Sequence, residues 1–210
     1  MSLKIIALFI AAYLIGAIPF SVWVGKIFFG KDIRKEGSGN AGATNTFRVL
    51  GPVAGIIVLL LDMAKGSAAV LLANSIQSDS TSKIYYQIGL GLMAAFGHIF
   101  PIYLGFKGGK GVATLFGGVL MIFPMSALFA VASFVIIFAI TRYVSLGSMI
   151  ASLVFMSSIF VLDDRRGEWP VILFAVAAPL IIFYTHRKNI QRLISGTENK
   201  ISFSKKTISK

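Results

Sequence analysis

The residues best suited to chemistry in this chain fall in four short segments. The first reads Gly37-Ser38-Gly39-Asn40-Ala41-Gly42-Ala43-Thr44-Asn45-Thr46-Phe47-Arg48. Glycines so closely spaced let backbone N–H groups turn into one concavity, a nest for anions. Ser38, Asn40, Thr44 and Asn45 add neutral donors, and Arg48 adds a planar fork matched to phosphate. The second segment, His98 to Thr114, carries Lys107-Gly108-Gly109-Lys110-Gly111 just ahead of an apolar run. A glycine-rich turn that feeds a helix N-terminus is a phosphate cradle. It is not a nucleotide-hydrolysis loop, because Leu104 stands where that motif needs glycine and Gly111 where it needs Ser or Thr. The third segment, Thr141 to Ser148, joins Arg142 to hydroxyls that include Ser145. The fourth, His186 to Glu198, sets His186 and Asn189 three apart, on one face of a helix, within a basic cluster.

Each segment has a plainer reading: a flexible linker, a tight turn with snorkelling lysines, an ordinary loop, a basic cluster that ends a span. What favours function is that all four combine cations, donors and small residues. Asp62 and Lys65 are three apart inside an apolar run, where each charge is costly, and mutual pairing is the cheapest explanation. His98 lies one turn inside another such run and reads equally well as structural or functional. A Gly89-x-Gly91-x-x-Ala94 match to a dinucleotide fingerprint has no preceding strand and carries nothing. There is no cysteine, no metal-ligand spacing, no Ser/His/Asp set and no Gly-x-Ser-x-Gly elbow. The pattern suits a site that binds phosphorylated substrates and transfers a group that is already activated.

The elements that position these segments must lie in a membrane. Of 210 residues, 56% are hydrophobic and 13% charged, and mean hydropathy is +0.83. A soluble chain of this size has too little interior to hide that much apolar surface. Apolar runs fall at about 3–29, 52–73, 85–105, 112–123, 125–140, 148–162 and 169–185, which predicts an all-α bundle of seven spans. Pro124 divides the fourth run from the fifth and predicts two short helices. With the N-terminus outside, the segments 30–51, 105–111, 141–147 and 186–210 face the cytoplasm and hold fourteen Lys and Arg against four outside. Fusing the two short helices removes most of that asymmetry, so the positive-inside rule favours seven. The net charge of +12 then reflects topology and anionic lipid rather than nucleic acid, for which there is no soluble basic face. The chain reads as one transmembrane domain, 1–210, whose basic tail from 186 lies along the membrane with Ile190, Leu193 and Ile194 toward lipid.

The stretches GSGNAGATNTFR, GHIFPIYLGFKGGKGVAT and HRKNIQRLISGTE, in that order, resemble the three motifs of the bacterial acyl-phosphate:glycerol-3-phosphate acyltransferases, the PlsY family. The resemblance implies a seven-helix enzyme of the cytoplasmic (inner) membrane with its active site on the cytoplasmic side. It implies transfer of a fatty acyl group from acyl phosphate to the 1-hydroxyl of sn-glycerol 3-phosphate, giving lysophosphatidic acid, with no metal or cofactor. It assigns catalytic roles to Ser38, Arg48, Lys107 and His186. Substrate contacts would also come from Gly37, Asn40, Thr44, Asn45, Gly108, Gly109, Lys110, Ser145 and Asn189. The His-x4-Asp motif of other glycerol-phosphate acyltransferases is absent: Tyr103 follows His98 by five, and Gln191 follows His186 by five. An acyl phosphate expels a phosphate that cations can neutralise, so the expected site needs cations, oxyanion donors and orientation. A transporter of phosphorylated metabolites is the rival expectation, and it predicts polar groups near the midplane of several helices.

Overall fold

The computed structural model describes residues 3–201, apart from the side chains of Ser80 and Thr81. Ten α-helices follow one another, with no strand among the described residues. They are α1 (Leu3–Ala17), α2 (Phe20–Phe29), α3 (Ala43–Leu50), α4 (Pro52–Leu71), α5 (Ser80–Ile99), α6 (Val112–Ile122), α7 (Pro124–Thr141), α8 (Val144–Leu162), α9 (Trp169–Thr185) and α10 (Arg187–Ile194). Four of them are long and apolar enough to cross a membrane alone: α4 with its 3-10 extension, α5, α7 and α8. The pairs α1/α2 and α9/α10 are bent by 41° and 62°, and α6 has only 11 residues.

The break at Pro124 is present, but only one of its flanking helices is short. Pro124 occupies the first turn of α7, where a missing N–H costs nothing. Nothing then interrupts α7 until Arg142 adopts the left-handed conformation at its C-cap, so α7 reaches 18 residues. The first apolar run, read as one helix, is instead broken at Ile18-Pro19, where proline ends one helix and precedes the next.

Small residues let the helices approach closely. A Cβ added at Gly66 would collide with the Thr114 carbonyl, and one at Gly117 with the Met63 carbonyl, so α4 and α6 touch backbone to backbone. This contact explains how an 11-residue helix suffices. The N-terminus of α6 begins beside Gly66, fourteen residues and about 21 Å along α4 from Pro52. The loop before α6 is therefore recessed into the bundle. The main core runs through α5, α6, α7, α8 and α9, while large side chains such as Val135, Ile136 and Ile140 cover the outer faces, as a lipid solvent requires.

Candidate active site

Three of the four chemistry-bearing segments are built locally by their own small polar residues. In the first, Asn45 is buried and its side chain is spent on the loop: Oδ1 accepts from the Ser38 N–H at 2.8 Å and the Ser38 hydroxyl at 3.1 Å, while Nδ2 donates to the carbonyls of Ile33 at 2.8 Å and Glu36 at 3.2 Å. Asn45, expected among the substrate contacts, thus holds the loop that carries Gly37, Ser38 and Asn40. In the second, the Gly108 and Gly109 N–H groups donate to the carbonyls of Ile99 and His98, both at 3.1 Å. A Cβ at Gly108 would strike the His98 carbonyl, and one at Gly109 would strike His98 Nε2. These glycines are demanded by close approach to His98. Gly111 then opens α6 with no side-chain cap, so the positive end of that helix faces the cleft.

The fourth segment turns back on itself. His186 ends α9 and caps α10. Gly196, at φ +70°, closes α10 with two bonds, Gly196 N–H to the Leu193 carbonyl at 3.2 Å and Thr197 N–H to the Arg192 carbonyl at 2.8 Å. That reversal aims Glu198 back into the bundle. In the described part of the tail, 186–201, the aliphatic face turns partly inward rather than wholly toward lipid: Ile190 and Leu193 pack on the main core, and of the three aliphatics only Ile194 is widely exposed, while 202–210 lie outside the described residues.

The segments meet around a cleft of about 740 Å³. At its polar end, Lys110 Nζ donates to Asn189 Oδ1 at 2.6 Å, and Asn189 Nδ2 donates to Glu198 Oε1 at 2.6 Å. The same oxygen accepts from the Ser145 hydroxyl at 2.8 Å, and Glu198 Oε2 accepts from Arg192 Nε at 2.7 Å. Arg48 donates through Nη2 to the Asn199 carbonyl at 3.0 Å, but its buried Nε has no partner. Lys107, Thr44 and Asn40 also line this end, with Lys107 exposed at the rim.

The charges follow from these neighbours. Burial brings the Lys110 ammonium down to about 8, so it stays mostly protonated at neutral pH. Burial, then the nearby Lys110 charge, brings His186 down to about 4, so the ring is neutral. Its Nδ1 lies 2.8 Å from the Ile182 carbonyl, which can only accept, so the proton sits on Nδ1 and Nε2 is left as an acceptor. Burial works to raise Glu198, but hydrogen bonds from Arg192, Asn189 and Ser145 outweigh it and hold the carboxylate ionised.

Of the residues singled out from sequence, the structure gathers Ser38, Arg48, Lys107, Lys110, Ser145, His186 and Asn189 around one cleft. Glu198 and Arg192 carried no assigned role and lie at its polar end. Glu198 is the only acid in a tail segment, 186–210, with seven Lys and Arg, and that isolation was the signal available. Asp62 and Lys65 pair at 2.9 Å as expected.

Residues 6–196 match the family model described as glycerol-3-phosphate acyltransferase. The chain belongs to this family. It is 43% identical to the glycerol-3-phosphate acyltransferase of Enterococcus faecalis, covering 96% of this chain and 94% of that one. It is 40% identical to that of Chlorobaculum tepidum, covering 97% and 99%. The fold superposes on a crystal structure of PlsY, an integral membrane glycerol 3-phosphate acyltransferase in its glycerol 3-phosphate form. That match has a TM-score of 0.85 at 39% identity and covers 94% and 96% of the two chains. The lysophosphatidic acid form matches with a TM-score of 0.81 at 37% identity. Membership of this family places the charged cleft in a multi-pass membrane protein.

Proposed function

We propose that this chain is a glycerol-3-phosphate acyltransferase whose donor is an acyl phosphate. It moves the acyl group to the 1-hydroxyl of sn-glycerol 3-phosphate and releases lysophosphatidic acid and phosphate, as a step in phospholipid synthesis. The observation that carries this reading is the convergence of Arg48, Lys107, Lys110 and Arg192 with the Asn189–Glu198 network at the polar end of a cleft whose other end is apolar. Such a cleft suits one phosphorylated polar substrate and one phosphorylated lipid.

Two phosphates need two sets of donors. Arg48 with Asn40 forms one, and Lys110 with Lys107 and the N-terminus of α6 forms the other. Glu198 holds Asn189 and Ser145, and through Asn189 orients Lys110. In the reaction the acceptor oxygen attacks the acyl carbonyl, the carbon–oxygen bond to phosphate breaks, and the departing phosphate leaves with its charge neutralised by these cations. His186 at about 4 is a weak base. A phosphate monoester, with a second pKa of about 6, is the stronger one. The acceptor's proton therefore passes to a phosphate oxygen, and His186 Nε2 orients the hydroxyl.

Seven spans, with the N-terminus outside and the site on the cytoplasmic face of the inner membrane, complete the reading. The charge asymmetry of the loops supports it. The acyl chain enters from the bilayer and the polar acceptor from the cytosol. The test is purified protein in detergent with glycerol 3-phosphate and palmitoyl phosphate. One lysophosphatidic acid should form per phosphate released. No product, with the protein folded, would refute the reading. Cysteines at positions 38 and 197 should be blocked only by reagents that enter the cytoplasm, and labelling from outside would refute the topology.

A further inference from the structure

The cleft has a floor. Its lining stops at one level on four helices, at Val119 on α6, Ala130 on α7, Phe155 on α8 and Ala178 on α9. Beneath that level Phe123 and Phe174 are buried against Phe155. The Phe155 ring meets Phe123 edge-on at 6.0 Å and Phe174 edge-on at 5.8 Å between centroids, and Phe123 stacks on Phe174 at 6.0 Å. Arg165 fixes this plug from the far side. Its guanidinium lies 5.1 Å from the centre of the Phe123 ring and donates to the Ile122 carbonyl at 3.2 Å. The wall of α8 above the plug is made of small residues, Ser148, Ala151 and Ser152, which leave a well rather than a packed seam. The hydroxyls of Ser148 and Ser152 donate to backbone carbonyls of their own helix, so they offer the well no unmet polar group.

Depth follows from the helix. Ser145 belongs to the charged network and Phe155 to the plug, ten residues apart on α8, or about 15 Å. An extended hydrocarbon chain advances about 1.25 Å per carbon, from bonds of about 1.5 Å at near-tetrahedral angles. The well therefore takes about twelve carbons before the chain meets the plug. Leu59 on α4 and Val131 on α7 also line the cleft and are 41% and 38% exposed, which marks a side slit toward lipid. A longer chain has to bend out through that slit.

We infer that Phe155 is a chain-length gauge, the residue that meets the end of the donor's acyl chain and sets which lengths are preferred. The inference rests on the reading of the donor as an acyl phosphate and adds to it a residue that determines specificity. The benzyl group extends about 4 Å beyond Cβ, so Phe155→Ala deepens the well by roughly three carbons. Ser152 lies three residues nearer the charged end, about 4.5 Å along α8, so Ser152→Phe raises the floor by a similar amount.

The experiment is the kcat/KM profile for acyl phosphates of even chain length from eight to eighteen carbons, with glycerol 3-phosphate fixed. Phe155→Ala should move the optimum up by two to four carbons, and Ser152→Phe should move it down by a similar amount. KM for glycerol 3-phosphate should hold in both. Phe155→Leu, which keeps the plug filled, covers the case in which Phe155→Ala does not fold and should shift the optimum up by one step of the series. Unshifted profiles in folded variants, or shifts of both in the same direction, overturn the gauge and leave the donor reading intact. Absence of turnover with every acyl phosphate in the unsubstituted enzyme overturns the donor reading, and the gauge with it.

Discussion

Two clusters of buried charge lie close together in this bundle and are built differently. Asp62, Lys65 and His98 pack around a void of only about 10 Å³, and Asp62 and His98 also touch the wall of the larger cleft. The Lys65 ammonium sits 2.9 Å from Asp62 and donates to the Ile18 carbonyl at 2.9 Å, at the break between α1 and α2, and His98 Nδ1 stands 3.6 Å from Asp62. Arg48, Lys110, Arg192 and Glu198 instead surround about 740 Å³, and Arg48 keeps an unpartnered N–H. The closed cluster is satisfied within the protein and holds elements in place. It joins α4 to the α1/α2 break, and the His98 carbonyl accepts from the Gly109 N–H of the glycine-rich loop while its ring leaves no room for a side chain there. The open cluster lines a cavity large enough to admit a ligand.

The comparison breaks most visibly at Asp62. Removing one partner of a buried ion pair costs about 3–5 kcal/mol, so Asp62→Ala should lower the unfolding midpoint in detergent sharply. An unchanged midpoint would show that the cluster does not hold the fold. Arg48→Ala should do the reverse: it leaves the midpoint in place while kcat/KM falls roughly 10- to 150-fold, the equivalent of about 1.5–3 kcal/mol for one charge-assisted contact. Normal kinetics would remove Arg48 from phosphate binding.

Proton linkage sharpens the open cluster further. Burial lowers Lys110 to about 8, so the free enzyme loses that cation as pH rises through about 8. The profile of kcat/KM, which reports the free enzyme, should fall above that point, and Lys110→Arg should carry the falling limb to higher pH. A limb that stays put in the active variant would assign it to another group. Glu198→Gln keeps the shape of the acid but weakens its bonds to Arg192, Asn189 and Ser145, by about 1 kcal/mol or roughly fivefold in KM for a phosphate substrate. Unaltered KM would confine Glu198 to a role in the tail alone. Lys107→Ala should have the smallest effect, because an exposed rim charge contributes under about 1 kcal/mol, or less than about fivefold. A loss equal to that of Lys110→Ala would mean that the rim closes over the substrate.

Much of this arrangement is legible from residue types. Apolar runs locate the helices, Pro124 marks the division between α6 and α7, and three polar, glycine-bearing stretches mark the loops that meet at the cleft. What is not legible depends on distant partners. Nothing local to Glu198 says that the chain reverses at Gly196 to set it against Ser145, 53 residues earlier. The polarity of Asn45 suggests a ligand contact, yet its bonds go to backbone carbonyls of Ile33 and Glu36 that no spacing rule reaches. Ile190 and Leu193 show helical periodicity, but periodicity cannot distinguish lipid from the neighbouring core they pack on. The depth of the glycine-rich loop before α6 follows from the contact of Gly66 with Thr114, a property of two helices and not of either alone.

The central claim is that the open cluster is built around a phosphate leaving group, and a donor swap tests it most directly. A thioester expels a thiolate that phosphate-binding cations are poorly placed to stabilise, and the short loops offer little room for an adenine nucleotide. With the same purified enzyme and glycerol 3-phosphate as acceptor, kcat/KM for palmitoyl phosphate should exceed that for palmitoyl-CoA by at least about a hundredfold, the equivalent of about 2.7 kcal/mol. Comparable values for the two donors would contradict the account.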